Sequence, residues 1–297
     1  MSAPTLALPA PDVVLAAGLY DGMPEPAYLG DPVPGGSLSS SGAVALLPPS
    51  CPALYRHRQD NPEPSTDAQR FGSGAHRELL GEGPELFVFE KKLDGRTKAG
   101  KAQTKDIAAA VAEGLIPMSA AEHARTQAMV KALREVPAAA ALFDPAAGRP
   151  EQSGFWLDPE TGQWCRVRYD FLPHTAPSGH LIFPDYKTAK AVDDDSIDKA
   201  IARWHYHQKV DFYERGALAL GLADHVTGVL VFQMSDPPHL VRLVQPDEEA
   251  RAIGHRRNRR ALDLFHDCQT SGKWPGFGDD VYPSRLPVWA LYAEPED

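Results

Sequence analysis

The sequence predicts a mixed α/β fold, in which helices flank a central mixed β-sheet and a helical part precedes the sheet. Two observations support this class. Apolar and polar residues alternate in the stretches 151–187 and 225–246, as they do in strands with one buried face. Before, between and after these stretches, apolar residues recur at helical spacing. Because strands and helices interleave, we expect one large α/β domain.

The first 37 residues are rich in Pro, Ala and Gly and show no periodicity, which predicts a flexible, loosely held arm. Residues 38–297 are expected to form the single domain, with its core at about 151–235. Serines at 39–41 suit the N-cap of a first helix, which runs through AVALL to Pro48.

Further elements follow in order. AQRFGSGAHRELLGEG is predicted to be a helix and ELFVFEKKL a strand. The chain from Lys105 to Phe143 has helical spacing with a break at 114–117, and Ser119 with Glu122 forms a capping box after it. SGFWLD, the PETG turn, QWCRVRYDFL and HLIFPDYK then give the strand-rich core.

The last third of the chain starts with a predicted long helix from about Asp195 to Gly221. HVTGVLVFQMS and HLVRLVQP alternate like a pair of strands. A basic helix at about 247–271 precedes a tail rich in Pro, Gly and Trp.

Composition narrows the class of protein. A chain of 297 residues with 43% hydrophobic and 24% charged residues is typical of a globular protein that buries a full core. No apolar run approaches the roughly 18 residues of a membrane span, and the N-terminus lacks the basic start of a secretory signal. The 3 cysteines are widely spaced, so neither a disulfide framework nor an iron–sulfur cluster is expected, and a reducing cytoplasm fits.

A net charge of −10 argues against coating by nucleic acid but leaves room for a local basic groove. Two basic clusters are candidates for phosphate contacts, at 91–105 and 251–260. The first contains GRTKAGKA, which is one residue short of a P-loop. Ala102 stands where a hydroxyl must bind Mg²⁺, so ATP binding is not expected, and Lys98 and Lys101 are better explained as DNA contacts.

The most informative stretch is CRVRYDFLPHTAPSGHLIFPDYK, residues 165–187. Asp170 ends one alternating segment, and Asp185 and Lys187 end the next one. Side chains two apart on a strand share a face, so Asp185 and Lys187 point the same way. Two carboxylates and an ammonium on one sheet face suit metal-assisted phosphodiester hydrolysis. A surface ion pair at a strand end is the alternative explanation of the triplet alone.

The run EQSGFW, the PETG turn, CRVRYD and FPDYKTAK together resemble the core of the PD-(D/E)XK nucleases. More narrowly, they resemble the phage and prophage exodeoxyribonuclease VIII (RecE-like) group, which is distantly related to lambda exonuclease and the RecB nuclease domain. LSSSGAVALLPPSCPALYRHR, FGSGAHRELL and CQTSGKWPGFGDDVYPSRLPVWAL extend the resemblance over residues 38 to 292.

The resemblance implies that Asp170 and Asp185 bind the metal and that Lys187 is the catalytic lysine. It further implies that His76 is a ligand on an early helix and that Glu151 approaches a second metal. A histidine of the helix surface or core, and an exposed carboxylate at a strand edge, are the respective alternatives.

Nucleases of this group carry Gln-x-x-x-Tyr on the helix after the core, and this chain departs from that pattern. WHYHQKVDFY places Phe212 four residues after Gln208, while Tyr213 is four residues after Lys209. Gln208 and Lys209 lie about 100° apart on a helix, so both remain candidates to face the site. Gln208 is preferred because glutamine is the family's chemistry, with Lys209 and Tyr213 as candidate DNA contacts.

The resulting expectation is a Mg²⁺-dependent deoxyribonuclease, with Mn²⁺ able to substitute, that digests double-stranded DNA ends in the 5′→3′ direction. The resemblance also implies phage-type recombination, a phage single-strand annealing protein as partner and a homo-oligomeric ring. An endonuclease or single-strand nuclease with the same core stays open, as does a non-catalytic DNA-end-binding protein. An ATP-driven motor is opposed by Ala102.

Overall fold

The computed structural model describes residues 8–291. The strands within that range are β1 (Leu8–Pro9), β2 (Gly18–Asp21), β3 (Leu38–Ser39), β4 (Leu86–Phe89), β5 (Ile116–Ser119), β6 (Gly148–Leu157), β7 (Trp164–Pro173), β8 (His180–Ala189), β9 (His225–Met234) and β10 (Val241–Val244). The helices there are α1 (Glu25–Leu29), α2 (Ser40–Ala45), α3 (Pro52–Asp60), α4 (Asp67–Leu80), α5 (Lys98–Ala112), α6 (Ala120–Arg134), α7 (Pro137–Leu142), α8 (Asp194–Trp204), α9 (Tyr206–Ala219), α10 (Glu248–Ser271) and α11 (Val288–Leu291).

The mixed α/β class is confirmed, but the central sheet is divided. One sheet has the strand order β1-β2-β6-β7-β3, and a second has β10-β9-β8. β6 and β7 form an antiparallel hairpin, whereas β8 and β9 run parallel with the helices α8 and α9 between them. A small parallel pair, β4 and β5, stands apart. Within the described residues, the expected central sheet is thus present as two adjoining sheets of five and three strands, beside the small pair.

The two main sheets meet along a seam between β7 and β8. Instead of a ladder of backbone hydrogen bonds, a side chain bridges the seam: the Tyr186 N–H donates to Oδ2 of Asp170 at 2.7 Å. The carboxylate of Asp170 thereby fixes β7 relative to the backbone of β8. The expectation that Asp170, Asp185 and Lys187 end their strands is corrected, because β7 continues to Pro173 and β8 to Ala189.

Helix α9 lies at the centre of the molecule. Its Phe212 packs in the main core with Tyr169 and Phe183, all of them almost fully buried. Its other side meets α10, where Gly254 permits close approach, because a Cβ there would lie 2.5 Å from the carbonyl oxygen of His207.

The predicted long helix from about 195 to 221 is broken, which corrects that expectation. His205 adopts a left-handed conformation, with φ 54°, and separates α8 from α9. The helix break predicted at 114–117 is confirmed, since α5 ends at Ala112, and β5 begins within the break at Ile116. The capping box of Ser119 and Glu122 is confirmed.

The start of the chain packs more tightly than its composition suggests. β2 pairs antiparallel with β6, and Tyr20, Met23 and Tyr28 bury their side chains against Phe155. The expected loose arm is therefore corrected for residues 8–37, since apolar side chains anchor it to the sheet. The prediction for residues 1–7 lies outside the described residues. Within 8–291, no helix is long and apolar enough to cross a membrane.

Candidate active site

The seam between the two sheets gathers several of the predicted site residues. His76, on α4, directs Nε2 to Oδ2 of Asp170, at 3.0 Å. Both side chains are mostly buried, with 26% and 16% of their surface exposed. A fully capped helix positions the histidine, because Thr66 and Gln69 form a capping box at the start of α4.

A hydrogen bond to the backbone determines which tautomer of His76 faces the seam. Its Nδ1 lies 3.2 Å from the carbonyl oxygen of Gly72, which can only accept a hydrogen bond, so Nδ1 carries the proton. Burial and then the charge of Lys187 lower the pKa of His76 to about 4. A neutral imidazole therefore presents the lone pair of Nε2 toward Asp170, which is the form that binds metals.

Asp170 lies in surroundings that disfavour its charge. Burial raises its pKa well above the ordinary range, and the neighbouring Asp185 raises it further. Two partly desolvated carboxylates close together repel each other unless a positive charge lies between them. Folding therefore disfavours the charged form of Asp170, and a protonated Oδ2 can donate to the lone pair of His76 Nε2.

Asp185 and Lys187 share one face of β8, as alternation along the strand predicts. Nζ of Lys187 lies 2.6 Å from Oδ2 of Asp185 and also donates to the carbonyl oxygen of Tyr186 at 3.2 Å. Burial lowers the pKa of Lys187, but the carboxylates of Asp185 and Asp170 outweigh it and leave the pKa raised. Lys187 is therefore a fixed cation beside both carboxylates.

Glu151 lies beside this cluster on the neighbouring strand β6. Its neighbours Pro150 and Gln152 pair with Phe171 and Tyr169, so Glu151 stands opposite Asp170 in the register. Its backbone is left-handed, with φ 54°, which interrupts the ladder at that point. Its carboxylate forms an ion pair with Arg168.

Arg168 is a site residue that the sequence analysis missed. It lies two positions before Asp170 on β7, so the same alternation that placed Asp185 with Lys187 assigns it to the face of Asp170. Burial raises the pKa of Glu151, and the charge of Arg168 opposes that shift. Arg168 therefore holds Glu151 away from free solvent at the edge of the cluster.

Tyr206, at the start of α9, is a second residue of the cluster that the sequence did not predict. Nζ of Lys187 lies 5.6 Å from its ring centroid, and Nζ of Lys209 lies 5.3 Å from it. Such distances allow a cation–π interaction. Burial, followed by the charge of Lys187, lowers the pKa of Lys209 to about 8. Lys209 thus belongs to the same electrostatic cluster as Lys187 and Asp185.

Gln208 lies elsewhere, and the preference for it is corrected. Its side chain is fully buried, and its Oε1 accepts from Nε of Arg257 on α10 at 2.8 Å. The backbone oxygen of Gln208 accepts from Asn258 of the same helix. The side of α9 that carries Gln208 therefore packs on α10, and the next residue, Lys209, faces the cluster.

The remaining candidate DNA contacts are Tyr213 on α9 and two lysines on α5. Tyr213 packs its ring against Tyr169 at 5.6 Å and against Phe183 at 6.1 Å, inside the aromatic core. Lys98 and Lys101 are exposed in the first turn of α5, where Thr97 caps the helix. Throughout the described part of the chain, no hydrogen bond or ion pair joins either lysine to the cluster.

The donor set fits a divalent cation, although its members are not yet arranged around one. Within residues 8–291, no three His, Cys, Asp or Glu side chains converge as a complete metal site. Asp185 is turned to Lys187 and Glu151 to Arg168, so part of the donor set is engaged in ion pairs. A neutral imidazole nitrogen together with the carboxyl groups of Asp170 and Glu151, whose pKa values are raised, is nevertheless a combination that Mg²⁺ or Mn²⁺ would stabilise.

Comparison with known proteins bears on the fold. No family model and no curated protein matches the sequence. The crystal structure of a candidate exonuclease from Eubacterium rectale matches with a TM-score of 0.53 and 10% sequence identity, over 86% of this chain and 93% of that chain. A phage-related exonuclease from Haemophilus somnus 129PT matches with a TM-score of 0.30 and 12% identity, over 80% of this chain and 96% of that chain. The first similarity shows that this chain shares the mixed α/β fold of the Eubacterium rectale protein.

Proposed function

We propose that this protein is a metal-dependent deoxyribonuclease of the PD-(D/E)XK type that digests double-stranded DNA from its ends in the 5′→3′ direction. The observation that carries the proposal is the cluster at the seam. Asp170 on β7 and Asp185 and Lys187 on β8 lie on adjoining strands, and His76 contacts Asp170 from α4. The similarity of the fold to that of the candidate exonuclease from Eubacterium rectale supports this activity.

Asp170, Asp185 and the Nε2 atom of His76 would hold the divalent cation, and Glu151 would join them after leaving Arg168. When bound, such an ion supplies positive charge that polarises the scissile phosphate and lowers the pKa of a water. The residues prepare for it, since Gly72 keeps the imidazole lone pair directed inward and Tyr186 orients Asp170.

Lys187 acts on the water and the phosphate. Its raised pKa keeps it protonated at neutral pH, so it can donate hydrogen bonds but cannot accept a proton. Asp185, at 2.6 Å, fixes the direction of the ammonium. Water then attacks the phosphorus in line and the bond to the 3′-oxygen breaks, so the released nucleotide carries a 3′-hydroxyl and its own 5′-phosphate, and the shortened strand carries a new 5′-phosphate. The water gives its proton to solvent, because Lys187 cannot accept it, and the 3′-oxygen takes up a proton from solvent. Lys209, whose Nζ lies 5.3 Å from the centroid of the Tyr206 ring, adds a second cation for the DNA backbone.

The resemblance to the exodeoxyribonuclease VIII group extends the proposal to phage-type recombination. It adds a single-strand annealing protein as partner and a ring of several copies as the working form. Sedimentation with and without DNA tests the ring. A mass of about 32.3 kDa under both conditions would contradict it.

The test of the activity is a digestion time course on linear and covalently closed circular duplex DNA, with label at the 5′ or the 3′ end. The expected result is Mg²⁺-dependent loss of linear DNA with early release of 5′ label, while closed circles persist. Lys187→Ala should be inactive, and Lys199→Ala, which removes an exposed lysine paired with Asp195, should be fully active. Cutting of closed circles would establish an endonuclease instead, and no cutting of any DNA would refute the proposal.

A further inference from the structure

An exposed tryptophan stands at the junction of α8 and α9. Trp204 is the last residue of α8 and keeps 53% of its surface accessible. Single exposed apolar residues are ordinary on proteins, so exposure alone assigns no role. Two features of its surroundings suggest a role: basic residues lie around it, and the candidate active site lies nearby.

The junction is locally basic, although the chain carries a net charge of −10. The guanidinium of Arg203 lies 5.2 Å from the ring of Trp204. Within the described residues, no carboxylate forms an ion pair with Arg203, Lys209 or Arg257. Burial lowers the pKa of His205, and the charged groups that lower it further are all basic: Arg257, His207 and Lys209.

The junction is also part of the wall of the candidate active site. Tyr206, two residues after Trp204, contacts the ammonium groups of Lys187 and Lys209 through its ring. Two residues of chain span at most about 7.6 Å between Cα atoms, so Trp204 lies close to this wall. The turn is well held, because the carbonyl oxygen of His205 accepts from the N–H groups of Gln208 and Lys209, at 3.0 Å each.

We propose that Trp204 is a stacking platform for unpaired bases at the DNA end that enters the active site. This inference rests on the proposed nuclease function and deepens it by naming the substrate feature, a single-stranded overhang. An aromatic face beside cations is the combination that binds single strands, because bases stack on the ring while the cations neutralise the backbone. Arg203 can cover one face of the indole, and a base can use the other.

Binding is measured with a fluorescent label on duplex DNA that has a four-nucleotide overhang or a blunt end, in chelator so that no DNA is cut. We expect Trp204→Ala to weaken overhang binding by about fivefold or more, and blunt-end binding much less. Trp204→Phe keeps an aromatic ring and should retain most of the affinity. Leu218→Ala, which removes another exposed apolar side chain near the far end of α9, should bind as wild type does.

Several outcomes would overturn the inference. Equal binding of overhang DNA by Trp204→Ala and wild type is one, and an equal loss for blunt and overhang DNA is another. A lower mass of Trp204→Ala in sedimentation, with unchanged DNA binding, would mean that the tryptophan joins copies of the chain. If wild type binds overhangs through Trp204 but digests no DNA with Mg²⁺, the nuclease proposal fails while the stacking platform stands.

Discussion

Lys209 is the residue whose ionisation is most open to measurement. Its pKa is lowered to about 8, from burial and the charge of Lys187, so its ammonium is charged below pH 8 and increasingly neutral above it. Attraction to a DNA phosphate is thus present at pH 7 and lost as the pH rises. We expect DNA affinity in chelator, at constant ionic strength, to fall between pH 7 and 9. Lys209→Arg, which stays charged, should remove most of this dependence.

The same residue predicts a change in salt dependence. If Lys209 contacts one phosphate, Lys209→Ala should reduce the slope of log affinity against log salt by about 0.9. The matched variant is Gln208→Ala, whose side chain packs on Arg257 of α10, and its slope should equal that of wild type. A flattened slope in Gln208→Ala together with an unchanged slope in Lys209→Ala would reverse the assignment.

At the cluster itself, single substitutions should show what Lys187 and Asp170 each contribute to cleavage. Lys187→Ala should reduce turnover by about 100-fold or more, because the ammonium acts on the reacting groups. Asp170→Asn should also abolish cleavage, since an amide is a poor metal ligand. The measurements are cleavage rates at saturating Mg²⁺, with circular dichroism to show an intact fold. Near wild-type cutting by Lys187→Ala would leave Asp185 and Lys187 a structural ion pair.

The sequence predicts part of this residue-level picture and misses the rest for a physical reason. Alternation along β8 predicts that Asp185 and Lys187 share a face, because strand geometry is local. The choice between Gln208 and Lys209 depends on which side of α9 meets α10, and that is set by tertiary packing. Gly254, far away in sequence, is what lets α10 approach the side that carries Gln208.

Among the elements, helix starts and the glycine-marked break at 114–117 are predicted well, but the interruption at His205 is not. Ser119 with Glu122 is a local signal for a helix start, and the structure confirms it. The break between α8 and α9 falls at His205, without the glycine or proline that normally marks one. A left-handed histidine is costly by itself, and contacts such as that of His207 with the carbonyl oxygen of Ile201 hold the turn.

The contact between α9 and α10 gives a prediction at this scale. A Cβ at Gly254 would lie 2.5 Å from the backbone oxygen of His207, so Gly254→Ala must push the helices apart. We expect it to destabilise the protein by about 1–3 kcal/mol, measured by urea denaturation. Gly72→Ala is the control, because its Cβ would meet only Thr188 Oγ1 at 3.6 Å. It should be neutral or stabilising by up to about 1 kcal/mol, and equal losses in both variants would contradict this account.

At the scale of the whole molecule, the contact between the two main sheets includes the candidate active site. A cation held by Asp170 on one sheet and Asp185 on the other would bind only the folded chain. Ligands that bind only the folded state raise the melting temperature in proportion to the logarithm of their concentration. We therefore expect Mg²⁺ or Mn²⁺ to raise the melting temperature of wild type. Asp170→Asn should show a much smaller rise, and a wild-type curve without any dependence on metal would count against the site.

The bridge across the seam also provides a spectroscopic reporter. The Tyr186 amide proton is held by the carboxylate of Asp170 rather than by a neighbouring backbone carbonyl. Its exchange with deuterated solvent therefore follows the opening of the seam and not the unfolding of a strand ladder. Faster exchange at Tyr186 than at its neighbours in β8 would reveal the two sheets moving as separate bodies. Slowing of that one amide by DNA or metal would show substrate closing the molecule along this line.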